Sequence, residues 1–144
     1  MKNCLFSIFV IVPTYILSQN SVESHADSVC ETIKFIECKL DTIYTDEFTV
    51  IEIEIEDDCL VFDVSYGGGC GFTNFELITD GHWILTGLPK IFFTLKFTDQ
   101  DLCKAIRYEK ISFDLTPFKY EAKEGGIKLL INNTERSLLY KVIP

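Results

Sequence analysis

Apolar and polar residues alternate along most of the chain. The clearest case is residues 49–56, TVIEIEIE, in which isoleucine and glutamate take turns at successive positions. Successive side chains of a β-strand point to opposite faces, so this pattern predicts a strand with one buried and one solvated face. The alternation resumes after Asp57 and Asp58 in residues 59–66, CLVFDVSY, and the two segments together predict a β-hairpin.

Further segments with the same period follow, and turn-forming glycine, proline, asparagine and aspartate separate them. Short strands at such intervals are typical of sandwiches and barrels. We therefore expect an all-β domain of roughly seven to nine strands, a two-sheet antiparallel sandwich that is Ig-like or has a similar Greek key topology. The further predicted strands are residues 72–79, 82–86, 90–97, 110–116, 126–131 and 137–142.

Residues 99–107, DQDLCKAIR, interrupt the alternation. Acidic residues come first, basic residues come last, and Leu102, Ala105 and Ile106 have helical spacing. This arrangement predicts one short helical turn near 99–107 that connects two strands. Residues 29–40 fit either a strand or an irregular segment.

The first 18 residues have the composition of a secretory signal peptide. One lysine precedes an apolar run of about 13 residues, shorter than the roughly 20 that a membrane-spanning helix requires. We predict cleavage between Ser18 and Gln19, a flexible polar lead-in over 19–28, and a single domain over 29–144. An uncleaved anchor is the alternative. The mature chain is expected to be secreted or periplasmic, in the cell envelope, with no membrane span.

Length limits the number of domains, and charge limits the classes of partner. The 144 residues are 47% hydrophobic, enough for one core and too few for two ordinary domains. Thirteen Lys and Arg against 22 Asp and Glu give a net charge of −9. A chain this acidic is repelled by phosphate backbones and by anionic lipid, so nucleic acid is excluded as a partner.

Five cysteines follow the predicted signal peptide, and export favours disulfides between them. Cys70 and Cys103 are the predicted pair, because both lie in loop-like segments at strand ends. The odd number leaves at least one thiol free or paired with another molecule, and the pairing of the others stays open. Cys59 also fits a buried small apolar residue. The five are Cys30, Cys38, Cys59, Cys70 and Cys103.

The sequence offers little for catalysis or for cofactors. No two cysteines of the mature chain lie closer than eight residues, whereas zinc sites use tight pairs, so no metal and no cofactor is expected. A nucleophilic cysteine would need His82 as its base. The glycines of residues 67–71 precede a strand and predict a tight bend, not a phosphate loop. Asp99 and Asp101 fit a helix N-terminus better than a calcium contact. No catalytic residue is assigned.

Several short motifs occur in order along the chain: residues 61–77, VFDVSYGGGCGFTNFEL, then 101–105, DLCKA, then 111–117, ISFDLTP. Over about residues 48–142 they resemble a group of small exported proteins of unassigned function from the Bacteroidota. The resemblance implies a β-sandwich-like exported domain in which Cys70 and Cys103 are the recurrent cysteines, and it implies no activity. Members often have histidine where this chain has Thr73, which weakens a metal or catalytic role for that loop.

We therefore expect an exported, non-enzymatic domain with a binding or envelope-structural role and an unidentified protein or glycan partner. The alternatives are a small secreted hydrolase and an inhibitor or adhesin-like module. An enzyme predicts a polar pocket around His82 or Cys103. A binding module predicts an exposed apolar or aromatic patch near Phe92 or residues 67–71, where the acidic surface would attract a basic partner.

Overall fold

The computed structural model describes residues 30–132 and 134–142. Most of these residues form nine strands, which confirms the all-β prediction. The predicted signal peptide, its cleavage site at Ser18 and Gln19, and the lead-in over 19–28 lie outside the described ranges. The strands are β1 (Lys34–Phe35), β2 (Phe48–Glu56), β3 (Cys59–Gly68), β4 (Thr73–Thr79), β5 (Trp83–Ile84), β6 (Lys90–Asp99), β7 (Ala105–Asp114), β8 (Ile127–Ile131) and β9 (Ser137–Tyr140).

Strands β2, β3 and β7 form a three-stranded antiparallel sheet with β3 in the centre. The structure confirms the predicted hairpin: β2 and β3 pair from Phe48 opposite Tyr66 to Glu56 opposite Cys59. Asp57 occupies the turn with a φ of 53°, a conformation that aspartate tolerates better than most residues. The glutamates of β2, Glu52, Glu54 and Glu56, lie at alternate positions on the solvated face of the strand.

The remaining six strands form the second sheet, in the order β1-β4-β6-β8-β9 with β5 beside β6. Pairs β1–β4 and β6–β8 are parallel, so the expectation of purely antiparallel sheets is wrong here. The chain leaves this sheet after β6, adds β7 to the three-stranded sheet, and returns as β8 in the same direction as β6. Such a crossover is what makes two neighbouring strands parallel.

The core lies between the two sheets, and the predicted inward residues of β6, from Ile91 to Phe97, are buried in it. Ile51, predicted to share the buried face of β2 with Ile53 and Ile55, is instead 47% exposed, because the register of β2 against β3 shifts between Val50 and Glu52. Phe48 of β2 meets Phe75 of β4 across the two sheets, with ring centroids 5.4 Å apart. Phe93 of β6 meets Phe118 edge to face at 5.4 Å. Removing these rings from water is the main contribution that holds the sheets together. The fully buried residues include Leu60, Phe62, Val64, Leu77, Ile91, Phe93, Leu95, Leu115, Ile127 and Leu129.

The helical turn predicted near 99–107 is wrong in its position. Asp99 ends β6, residues 101–104 have no regular structure, and β7 begins at Ala105 and continues to Asp114. Ten ladder positions pair β7 with β3, and this pairing outweighs a weak local helical pattern. The helical residues are instead a 3₁₀ turn at Thr116–Phe118 and the helix α1 at Lys119–Ala122. No helix of the described ranges is long and apolar enough to cross a membrane.

The ambiguous segment over 29–40 is mostly irregular. Glu31 forms an isolated parallel bridge with Phe113, β1 contributes two residues, and Leu40 starts a 3₁₀ turn. The strand predicted over 82–86 is reduced to β5, because the chain turns at Gly87, whose φ is +74°.

Candidate functional site

Two disulfides lie at opposite ends of the three-stranded sheet. Cys70, after β3, is bonded to Cys103, before β7, with the Cα atoms 5.9 Å apart. Cys30 is bonded to Cys59 at the start of β3. The alternative reading of Cys59 as a small buried apolar residue is therefore wrong. Cys38 is the free and exposed cysteine of the described residues.

The loop between β6 and β7, residues 100–104, is held against the bend between β3 and β4 by Asp101. Its carboxylate accepts hydrogen bonds from the backbone N–H groups of Cys70 and Cys103, each at 2.8 Å, and from that of Gly69. These bonds, chiefly those from Cys103 and Cys70, lower the pKa of Asp101 to about 2. A Cβ on Gly71 would lie 2.8 Å from the Asp101 Cα, so only glycine permits this close approach.

The chemistry of this cluster does not suit a metal ion. Potential ligand atoms of Cys70, Asp101 and Cys103 lie within 4.8 Å of one another. The two sulfurs are joined in a disulfide, however, and metal ligation requires thiolates. The Asp101 carboxylate is already occupied by backbone donors. The cluster therefore fixes the loop geometry in the oxidised protein.

The structure does not assemble the pair that a cysteine nucleophile would need. The His82 side chain is almost fully exposed, and its Nδ1 lies 3.3 Å from the Asp80 carboxylate. Cys103 is in a disulfide and offers no thiol. Trp83, beside His82, packs instead against Phe118.

A cleft of about 630 Å³ opens beside the Cys70–Cys103 disulfide, which we call the disulfide cleft. Its charged lining residues are acidic, apart from Lys104. Among the described residues, no lysine or arginine forms an ion pair with these carboxylates, so the cleft keeps its negative charge. The lining comprises Asp46, Glu47, Phe48, Thr49, Ser65, Tyr66, Gly67, Asp99, Asp101, Leu102, Cys103, Lys104 and Ile106.

Large apolar side chains are exposed at this cleft and beside it: Leu102 and Ile106 line the cleft, and Tyr108, outside its lining, lies two residues after Ile106 on β7. Leu102 is 98% exposed, Ile106 is 70% exposed and Tyr108 is 74% exposed. We call these three residues the apolar patch. Phe92, the other suspected surface residue, is half-buried. Sequence reasoning assigned Leu102 and Ile106 to a helix and missed the patch, although Ile106, Tyr108 and Lys110 alternate with Arg107 and Glu109 as strand residues do.

Acid should weaken the anchoring of the 100–104 loop. Folding lowers the pKa of Asp101, so its carboxylate stabilises the fold above an unfolded pKa near 3.8, and that stabilisation is lost as the pH falls through about 2. Urea unfolding between about pH 5 and pH 2 should show Asp101→Asn less stable than the wild type at the upper end, with the gap narrowing towards the lower end. Asp41→Asn, at an exposed aspartate, is the matched control, and a gap independent of pH would contradict this role.

Comparison with known proteins shows the fold. No protein-family model and no curated protein sequence matches the chain. A crystal structure of a DUF1344 protein of unknown function from Bacteroides vulgatus is similar, with a TM-score of 0.54 and 17% identity over 80% of this chain and 57% of that one. A "Putative TOXIN related protein" from Parabacteroides distasonis has a TM-score of 0.48 and 16% identity, over 78% of this chain and 60% of the other. The chain thus spans less than two thirds of either structure.

Proposed function

We propose that this protein is an extracytoplasmic, non-enzymatic binding module that holds a basic, extended segment of a partner protein in the disulfide cleft. The observation that carries the proposal is the apolar patch beside an acidic cleft. Scattered exposed apolar residues are ordinary, but neighbouring ones at the rim of a concave surface are typical of interaction sites. Leu102, with 98% of its surface in water, has the most apolar area to bury on binding.

The electrostatics favour a cationic partner. Asp46, Asp99 and Asp101 line the cleft, and the whole chain carries a net charge of −9. Such a field raises the association rate of a basic segment and disfavours an acidic one. The lysine and arginine side chains of the partner would face the carboxylates, while its apolar residues would cover Leu102 and Ile106.

The rigidity of the site favours binding further. Leu102 lies next to Cys103, and the Asp101 hydrogen bonds hold the same loop from the other side. A loop that is already ordered loses little conformational entropy when a ligand binds. A protein partner is favoured over a glycan, because the most exposed side chain in the cleft lining is the aliphatic Leu102, and Tyr108, the exposed aromatic residue of the patch, lies outside that lining.

The two disulfides support an oxidising compartment, in agreement with the predicted signal peptide. Both observations support the part of the proposal that assigns the module to the secreted or periplasmic space.

Selection of random peptides displayed on phage against the purified full secreted chain tests the proposal. We expect enrichment of peptides that combine Lys or Arg with apolar residues, and binding that weakens as salt is raised. Leu102→Ser should weaken binding of the selected peptides about tenfold or more, because burying one leucine side chain contributes about 1.5–3 kcal/mol.

Leu85→Ser is the matched control, since Leu85 is 74% exposed and lies outside the cleft lining. It should leave peptide binding unchanged. Enrichment of acidic peptides would contradict the proposed basic partner. Equal binding by the Leu102→Ser and Leu85→Ser variants would exclude the disulfide cleft as the binding site.

A further inference from the structure

Strand β7 leaves half of its outer edge without a partner among the described residues. Near its end, the Ser112 carbonyl accepts a hydrogen bond from the Glu31 N–H, and the Asp114 N–H donates to the Glu31 carbonyl, both at 2.8 Å. Backbone groups of alternate residues face the same side of a strand. The N–H and C=O groups of Ile106, Tyr108 and Lys110 therefore face outward too, and within the described ranges no backbone partner reaches them.

The edge lacks the usual protection against strand pairing. A lysine at an edge strand commonly keeps other chains away. Here the Lys110 ammonium group crosses the outer face of the sheet and binds the carboxylates of Glu54 and Glu56 on β2, at 3.2 and 3.1 Å. The opposite edge of this sheet, β2, carries Glu52 beside those two glutamates, so three carboxylates against one ammonium group leave it a net negative charge. We call the unpartnered stretch, residues 105–110, the open edge.

We propose that the open edge pairs with the open edge of a second copy of this chain, antiparallel and about a two-fold axis at Tyr108. The three-stranded sheets of two copies would then become one continuous sheet. In this register Tyr108 faces Tyr108 of the other copy and Ile106 faces Lys110, which gives roughly six main-chain hydrogen bonds. The inference goes beyond the proposed function and does not rest on it. Ile106 lines the disulfide cleft and also lies on the open edge, so a bound peptide and a second copy of the chain would compete for its side chain.

The charges of the open edge select this register. With the axis at Tyr108, Arg107 of each copy lies opposite Glu109 of the other, which gives two attractive cross-strand pairs. An axis at residue 107 would place two arginines opposite each other, and one at residue 109 would oppose two glutamates. Like charges directly opposite destabilise strand pairing. Glu109 retains one free carboxylate oxygen, because its bond from the Tyr66 hydroxyl uses only Oε2, at 2.7 Å.

The side chains match the same arrangement. Tyr108, 74% exposed in one copy, gains an aromatic neighbour across the axis. Ile106 gains the aliphatic stem of Lys110, whose charged end stays with Glu54 and Glu56. The bridge to Glu31 limits the pairing to about one short strand, so the buried area falls below that of a standard interface. We expect a weak dimer with a Kd between about 10 µM and 1 mM.

Analytical ultracentrifugation of the full secreted chain between about 5 µM and 1 mM tests the dimer. All samples carry Cys38→Ser, so that no disulfide between copies contributes. The parent protein should move from monomer to dimer with rising concentration. Arg107→Glu and Glu109→Arg should each remain monomeric, raising the Kd at least about tenfold, because each opposes like charges. An equimolar mixture of the two should dimerise, because every cross-strand pair is then attractive.

Lys39→Glu, a charge reversal of the same size at an exposed lysine off the edge, is the control and should dimerise like the parent. Tyr108→Pro removes one outward N–H and leaves the β3 ladder intact, so it should fold and remain monomeric. A parent protein that stays monomeric at every concentration would overturn the proposal. So would a mixture that fails to dimerise. Leu102→Ser should keep the dimer while weakening peptide binding, which separates the two proposals.

Discussion

Replacing Phe93 with alanine should lower the free energy of unfolding by about 3–5 kcal/mol, the usual range for a buried phenylalanine. Phe93 has no exposed surface and lies on β6, the central strand of the six-stranded sheet. Its ring meets Phe118 edge to face, so the substitution leaves a cavity between that sheet and the 3₁₀ turn. Equilibrium urea unfolding, followed by the fluorescence of Trp83, measures the loss.

Phe72→Ala is the matched control, because Phe72 is 60% exposed and its ring is absent from the core. Surface substitutions of this kind change stability by about 0.5 kcal/mol or less. A loss below about 1 kcal/mol for Phe93→Ala would mean that the core collapses around the missing ring, and it would remove Phe93 from the residues that hold the sheets together.

Removing the Cys70–Cys103 disulfide by replacing both cysteines with alanine should cost about 3–4 kcal/mol. The bond closes a loop between residues 33 positions apart. Without it the unfolded chain gains conformational entropy, which lowers the free energy of unfolding by about 3–4 kcal/mol. The same variant should weaken peptide binding, because the loop that carries Leu102 is then held only by the hydrogen bonds of Asp101. Thermal unfolding and the phage-selected peptides measure the two effects.

Cys38→Ala removes a free and exposed thiol and should leave both stability and binding unchanged. A full loss of stability in the double variant with unchanged peptide binding would separate the disulfide from the binding site. A loss of less than about 1 kcal/mol would show that the unfolded chain keeps residues 70 and 103 close together even without the bond.

The sequence predicted most of the fold because the strands are long and mostly periodic. Residues 49–56 and 59–66 alternate over most of their length, and the structure has them as the β2–β3 hairpin, with one shift of register between Val50 and Glu52 that leaves Ile51 exposed. The inward positions of β6, from Ile91 to Phe97, are likewise buried as predicted. A period of two leaves a strand only one way to bury its apolar face, so the pattern alone determines which side chains enter the core.

The site was less predictable, because it depends on segments whose local pattern is weak. Leu102 and Ile106 have helical spacing in the sequence. In the structure, the residues from Ala105 pair with β3 as the strand β7, and Leu102, before that strand, is exposed. The bond between Cys30 and Cys59 joins residues that no local rule relates. The parallel pairing of β6 with β8 also arises at long range, from the excursion of β7 into the other sheet.

The sequence by itself determined the strand periods, the acidic charge, the all-β class and the side chains of the core, since each of these follows from neighbouring residues and from composition. Only the tertiary structure decided which strands pair, which cysteines meet, and which apolar residues remain exposed. These properties depend on contacts between residues far apart in the chain. The disulfide cleft and the open edge belong to this second group. The cleft forms between segments distant in sequence, and the edge exists because β7 lies at the end of its sheet, with a partner on one side only for residues 105–110 among the described residues.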